Sequence, residues 1–263
     1  MRLDTTHLVL LAVAGLLGGI GITALGPGGV LPTIGLFLFT GLTPSGVAGT
    51  AIVTHVATGL LGTAAYARSG QLRAAGTRRC AAVLAGVAVV GTPLGVLCNT
   101  LVAGRGFGAL LACAVAVTGI LVWVRERRTP AASGAEVTRP DLPGAGLPLN
   151  RTVVIGVVVA FVAGLFGLGG PMLSVPLLVV AGLPVLASLA AAQAQSIVIA
   201  SVGTVAYVAH GDVEWGPAAL VGVPELAGVL IGWRIARALP ARRLTFALVA
   251  FLLALAPFLA LHS

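Results

Sequence analysis

Ten apolar runs, fenced by charged and turn residues, fill most of this 263-residue chain. They fall at 7–25, 28–41, 46–67, 80–103, 107–124, 152–168, 171–184, 186–209, 216–235 and 244–261. A helix needs about 20 residues, or about 17 at the least, to cross the hydrocarbon core of a bilayer. Eight of the runs reach that length; 28–41 and 171–184 do not. A soluble domain with a very large core is the alternative, and charge excludes it. Only 8% of the residues are charged, against about 25% in a soluble domain. The fold class expected is an all-α polytopic membrane protein, with the bilayer as its surroundings.

In such a protein the formal net charge of +8 reports orientation, not nucleic-acid binding, and no nucleic-acid partner is expected. Every basic residue is Arg. Cys80, Cys98 and Cys113 sit in apolar runs without metal-ligand spacing and read as ordinary apolar residues. No clear A-x-A cleavage site follows the first run, which reads as a membrane segment.

The chain repeats itself. Residues 26–70, moved by 141 positions, lie on 167–211 without a gap and with about 12 identities. "GPGG" falls on "GLGG" and "GTAAY" on "GTVAY", so the only two Tyr share a column. A fixed offset of this kind signals duplication. The polar, Pro- and Gly-rich stretch "RERRTPAASGAEVTRPDLPGAGLPLN" reads as a linker. The expected division is a first membrane repeat at 1–124, a cytoplasmic linker at 125–151 and a second membrane repeat at 152–263. About five segments per repeat is an odd number, so the repeats are inverted with respect to each other. With both termini outside, 13 of the 15 Arg fall on the cytoplasmic side, as the positive-inside rule favours. The two short runs either span or re-enter beside the run before them; both choices give the same orientation.

Each short run follows a glycine cluster, so each marks a broken helix. Irregular backbone at membrane depth is tolerated only where it is buried in protein or lines a wet cavity. A break in each repeat places two helix N-termini near the midplane, with unpaired N–H groups and the positive ends of helix dipoles. Such ends suit an anion. Gly28, Gly29, Gly169 and Gly170 are therefore candidate substrate-binding residues. Close helix packing is the competing explanation for glycines in membranes, and it is the expected role of Gly91-x3-Gly95 and Gly228-x3-Gly232.

Polar side chains recur in the run after each break. Thr54 falls in the column of Gln195, and His55 in that of Ser196. Thr50, Thr54 and Thr58 share a helix face, as do Gln193 and Ser196. Thr50, Thr54, His55, Gln193, Gln195 and Ser196 are candidate anion ligands, because their side chains include hydrogen-bond donors. The alternative is that Ser and Thr bond their own backbone and that Gln joins helices. Glu225 stands near the middle of run 216–235, where a charge is costly and usually functional. It is the candidate for proton coupling, either by itself or paired with His55, a residue type that titrates near neutral pH.

"GLGGPMLSVPLL", then "GLP", then "GTVAYVAHGDV" resembles the TauE/SafE family of membrane transporters, also called TSUP. "LVGVPELAGVLIGWRIARALPARRL" is similar to the Gly-spaced helix and Pro-Arg turn that follow in that family. "ALGPGGVLPTIGLF" is a weaker first copy, with Pro32 and Gly35 in place of the usual spacing to a Val-Pro-Leu. The resemblance implies a multi-pass transporter of the bacterial inner membrane whose cargo is a small sulfur-containing anion such as sulfite, a sulfonate like sulfoacetate, or thiosulfate. Another small anion or a carboxylate is the alternative cargo. An intramembrane enzyme needs a nucleophile–base pair or an H-E-x-x-H metal motif. The sequence offers neither, so no catalytic residue, metal site or cofactor is expected. A structural subunit has no use for duplicated breaks. A homodimer is left open.

Overall fold

The computed structural model describes residues 4–102, 104–128, 147–238 and 250. Most of the linker and nearly all of run 244–261 lie outside the described residues. Nine α-helices and no strand occur among those described: α1 Thr5–Ala24, α2 Val30–Phe39, α3 Pro44–Arg68, α4 Ala75–Asn99, α5 Gly104–Arg128, α6 Leu149–Phe166, α7 Pro171–Val180, α8 Val185–His210 and α9 Trp215–Ala238. Six of them, α1, α3, α4, α6, α8 and α9, are long and apolar enough to cross a membrane. Run 107–124 lies in α5. The chain is an all-helical polytopic membrane protein.

The short runs fold back beside the helix before them. A Cβ on Gly18 of α1 would meet Pro32 of α2, and one on Gly35 of α2 would meet Ala14 and Leu11. At the far end His7 stacks on Phe39, with ring centroids 5.8 Å apart. As residue numbers fall in α1 they rise in α2, so the two are antiparallel and α2 ends beside the start of α1. At about 1.5 Å per residue, the ten residues of α2 cover only ~15 Å, half a bilayer. α7 also has ten residues and runs back along α6 to the end where Leu178 and Leu183 meet Cys80 and Ala81 of α4. The two hairpins enter from opposite faces.

The halves interlock. α1 packs along α9 and α4 along α6, while α3 and α8 cross the centre together. Bare backbone makes these contacts. A Cβ on Gly19 would lie 2.0 Å from the Glu225 carbonyl oxygen, and one on Gly95 2.0 Å from that of Phe161. Only glycine lets helices approach so closely. Gly91 packs on α6 and Gly228 and Gly232 on α1, the packing role expected of the small-x3-small pairs.

The duplication reaches the backbone. All the positive-φ glycines of the described residues form pairs offset by 141: Gly26 and Gly167, Gly41 and Gly182, Gly70 and Gly211. The Tyr66 hydroxyl donates to the Thr23 carbonyl at 2.6 Å, and the Tyr207 hydroxyl to that of Gly164 at 2.7 Å. Both residues of each bond obey the same offset. Each tyrosine thereby satisfies a carbonyl that the broken helix leaves without an intrahelical partner.

Candidate functional site

His55 lies near the middle of α3, roughly 17 Å from one end and roughly 20 Å from the other at 1.5 Å per residue. Its side chain is fully buried. Both breaks reach it. A Cβ placed on Gly29 would lie 3.5 Å from His55 Cε1, and one placed on Gly169 would lie 3.5 Å from His55 Cγ and Nδ1. The same two positions lie 3.0 Å from Ile22 Cδ1. The tips of the two hairpins therefore share one imidazole and one apolar neighbour.

Local sequence explains the tips. In the first break the N–H groups of Leu25 and Gly26 both donate to the Gly21 carbonyl at 3.0 Å, closing α1. Gly26 then takes a φ of 103°, and a single 3-10 turn, Pro27–Gly29, leads into α2. In the second break Gly167 closes α6 in the left-handed region. Pro171 opens α7 at the position where its missing N–H costs nothing. The Met172 N–H turns back to the Gly169 carbonyl at 3.3 Å. Across the breaks, the Thr33 hydroxyl donates to the Gly167 carbonyl at 3.4 Å.

Glu225 of α9 completes the site. Its Oε1 lies 3.1 Å from His55 Nδ1, and both side chains are fully buried. None of the four polar atoms, His55 Nδ1 and Nε2 and Glu225 Oε1 and Oε2, has a hydrogen-bond partner among the described residues, so the contact is one of proximity and charge. An acid and a base thus stand together at mid-depth, where each forgoes solvation and has one other ionisable group to answer it.

The remaining candidates divide. Ser196 of α8 is buried with an unpartnered hydroxyl, and its backbone N lies 3.3 Å from a Cβ placed on Gly170. Gln193 donates from Nε2 to the Ile22 carbonyl at 3.1 Å, while its Oε1 is unpartnered and faces Gly62. Gln195 turns elsewhere: its Oε1 accepts from the Ser174 hydroxyl and its Nε2 donates to Gly156 of α6. The Thr54 hydroxyl donates to the Ala51 carbonyl, and that of Thr58 to the Thr54 carbonyl. Thr50 accepts the Glu214 N–H at 3.0 Å, beside the start of α9. Gly28 packs directly on Gly21. The structure thus brings Gly29, Gly169, His55 and Glu225 together. Gln193 and Ser196 lie next to that group with free polar atoms, and Thr50, Thr54, Gln195 and Gly28 serve the packing around it.

Three features were not singled out from sequence. Ile22 buttresses both tips, and nothing marks it among the apolar residues of its run. Asn99 donates to the Leu165 carbonyl at 2.6 Å and satisfies the end of α6; an amide at the end of an apolar run was the available signal. Thr33 and Ser174 occupy one repeat column; Thr33 donates to the Gly167 carbonyl at the second break and Ser174 to the Gln195 side-chain oxygen.

Membrane-length helices around two opposed half-length hairpins, whose tips meet at a buried acid–base pair, have the build of a membrane transporter. The family sequence model described as Sulfite exporter TauE/SafE matches residues 11–259. The chain belongs to that family. Comparisons with curated proteins and with solved structures return no match.

Proposed function

We propose that the chain carries small sulfur-containing anions across the cell membrane and holds the anion where the two hairpin tips meet at His55. Sulfite, thiosulfate, sulfoacetate and other sulfonates are the cargo class. The observation that carries this reading is the shared imidazole: Gly29 of one repeat and Gly169 of the other both face it. The first N–H groups of a restarting helix lack intrahelical acceptors, and the helix dipole adds positive potential there. Two such ends, an imidazole and the free hydroxyl of Ser196 form a donor set for an oxyanion.

His55, Gln193, Ser196 and Glu225 are all fully buried, so this arrangement is closed to both faces. Access then requires one hairpin and its packed helices to move against the other half, as inverted repeats allow. Arg68, Arg73, Arg78, Arg79, Arg151 and Arg234 are exposed at one end of the bundle. That end is cytoplasmic by the positive-inside rule, and the exposed Glu214 is then outside.

The test is uptake by reconstituted vesicles of sulfite, thiosulfate, sulfoacetate and taurine against chloride and acetate. Selective uptake of a sulfur anion, lost in Gly169→Leu, is expected. Acetate carried in place of every sulfur anion transfers the site to a carboxylate cargo. Full activity in both Gly169→Leu and His55→Ala rules out this site.

A further inference from the structure

The pair at the meeting point is balanced within itself. His55 Nδ1 and Glu225 Oε1 are 3.1 Å apart and fully buried, so a single proton on the two groups taken together leaves the empty site neutral. Among the described side chains no further charge packs against it. α2 and α7 carry no titratable side chain, and α1 brings only His7, at its far end and exposed. α8 brings Tyr207, whose hydroxyl is committed to Gly164, and the exposed His210. α3 adds Tyr66, committed to Thr23, and the exposed Arg68; α9 adds the exposed Arg234.

An anion seated on His55 between Gly29 and Gly169 lies within about a ring's width of the Glu225 carboxylate. Two negative charges that close, away from water, do not both stay ionised; one takes up a proton. The helix ends attract the anion, but they are the same with and without it. They do not remove the repulsion.

We infer that each anion enters together with one proton, taken by Glu225, so that the cargo is a monoanion moved with a proton as a neutral pair. This rests on the anion site proposed above. The charges balance. The empty site holds one proton on the His–Glu pair and is neutral. The loaded site holds an imidazolium, a neutral carboxylic acid and the monoanion, and is again neutral. A dianion leaves one negative charge unanswered, so sulfonates with a single charge and hydrogen sulfite are favoured over the dianions sulfite, thiosulfate and sulfoacetate.

Methanesulfonate is the probe, because it is a monoanion at every working pH and brings no proton of its own. Vesicles containing the full chain and an internal pH dye receive labelled methanesulfonate. Internal acidification of one proton per anion is expected. An acid exterior should drive accumulation toward about tenfold per pH unit, the equilibrium limit for that ratio. Whatever uptake remains in Glu225→Gln should be indifferent to the gradient. Wild-type uptake without acidification, or a gradient response in Glu225→Gln equal to wild type, overturns the inference. Sulfite or thiosulfate entering with no proton movement overturns it while leaving the anion site standing. If no sulfur anion enters at any pH, the site falls and the inference with it.

Discussion

The two helix breaks occupy the same repeat columns, yet they are built differently. The first leaves α1 through Gly26 and spends a 3-10 turn, Pro27–Gly29, before α2 begins. The second leaves α6 through Gly167 and enters α7 at Pro171 without that turn. The prolines are not even in one column, since Pro27 aligns with Leu168 and Pro171 with Val30. Their surroundings differ as well. A Cβ on Gly26 would strike Pro171 and Val175 of α7, whereas one on Gly167 would strike the backbone of Ala48 in α3. Chemistry diverges further. His55 aligns with Ser196 and Gln193 with Ile52, and Glu225 lies beyond the aligned stretch. Even the contact is kept while the chemistry changes: Gln193 faces Gly62, and Ile52 faces the equivalent Gly203. The scaffold exists twice and the titratable pair once. A site that takes one anion and one proton needs two backbone tips but a single acid.

The sharpest way to break this comparison is at the glycines. Gly167→Ala adds a Cβ 2.1 Å from the Ala48 carbonyl oxygen at a φ of 68°. The left-handed backbone costs ~1–2 kcal/mol and the overpacking ~1–3 kcal/mol more. Little folded protein should survive a thermal melt in detergent. Gly182→Ala also has a positive φ, 107°, but nothing lies within 4 Å of the added Cβ. It should lose only the ~1–2 kcal/mol of the backbone term. Equal losses would show that the second break is not wedged against α3.

The chemical asymmetry is sharpened by removing one group from each half. A hydrogen bond to a charged group contributes about 1.5–3 kcal/mol and one between neutral groups about 0.5–1.5 kcal/mol. His55→Ala should therefore lower sulfur-anion uptake by at least about tenfold, and Ser196→Ala by a few-fold. Matching effects would mean that the imidazole and the hydroxyl do equivalent work. The smallest effect concerns the scaffold. Tyr66→Phe and Tyr207→Phe each remove one hydroxyl-to-carbonyl bond, at about 1 kcal/mol apiece. Unfolding midpoints that fall together support equivalent scaffolds, and a shift in only one variant breaks that equivalence.

Features imposed by the bilayer were readable from sequence. A long uncharged run has few choices but a helix, and the runs from 7–25 to 216–235 became helices. The duplication showed because a positive φ or a tyrosine bonded to a broken helix end restricts the residue at that column. Hidden were matters of depth and direction. The threonines at 50, 54 and 58 line up by spacing, yet the hydroxyls of Thr54 and Thr58 bond their own helix, whose carbonyls are always within reach. Nothing in the spacing brings Glu225 onto His55. Their contact follows from α9 running beside α1 and α3, a pairing between halves that no local pattern records. The fold-back of α2 depends on Gly18 and Gly35 facing Pro32 and Ala14, and their run alone is compatible with crossing or returning.

The meeting of both tips at one anion is tested most directly by two small substitutions. A methyl on Gly29 or on Gly169 clears the backbone, presses on the flexible end of Ile22 at 3.0 Å and rests on the His55 ring at 3.5 Å. Gly29→Ala and Gly169→Ala should therefore fold, and each should fill the space beside the imidazole. Titrating methanesulfonate or sulfite into the purified wild type and both variants, with the melting temperature as control, should show binding weakened in both to a similar degree. Wild-type affinity in either folded variant would contradict a single site shared by the two breaks.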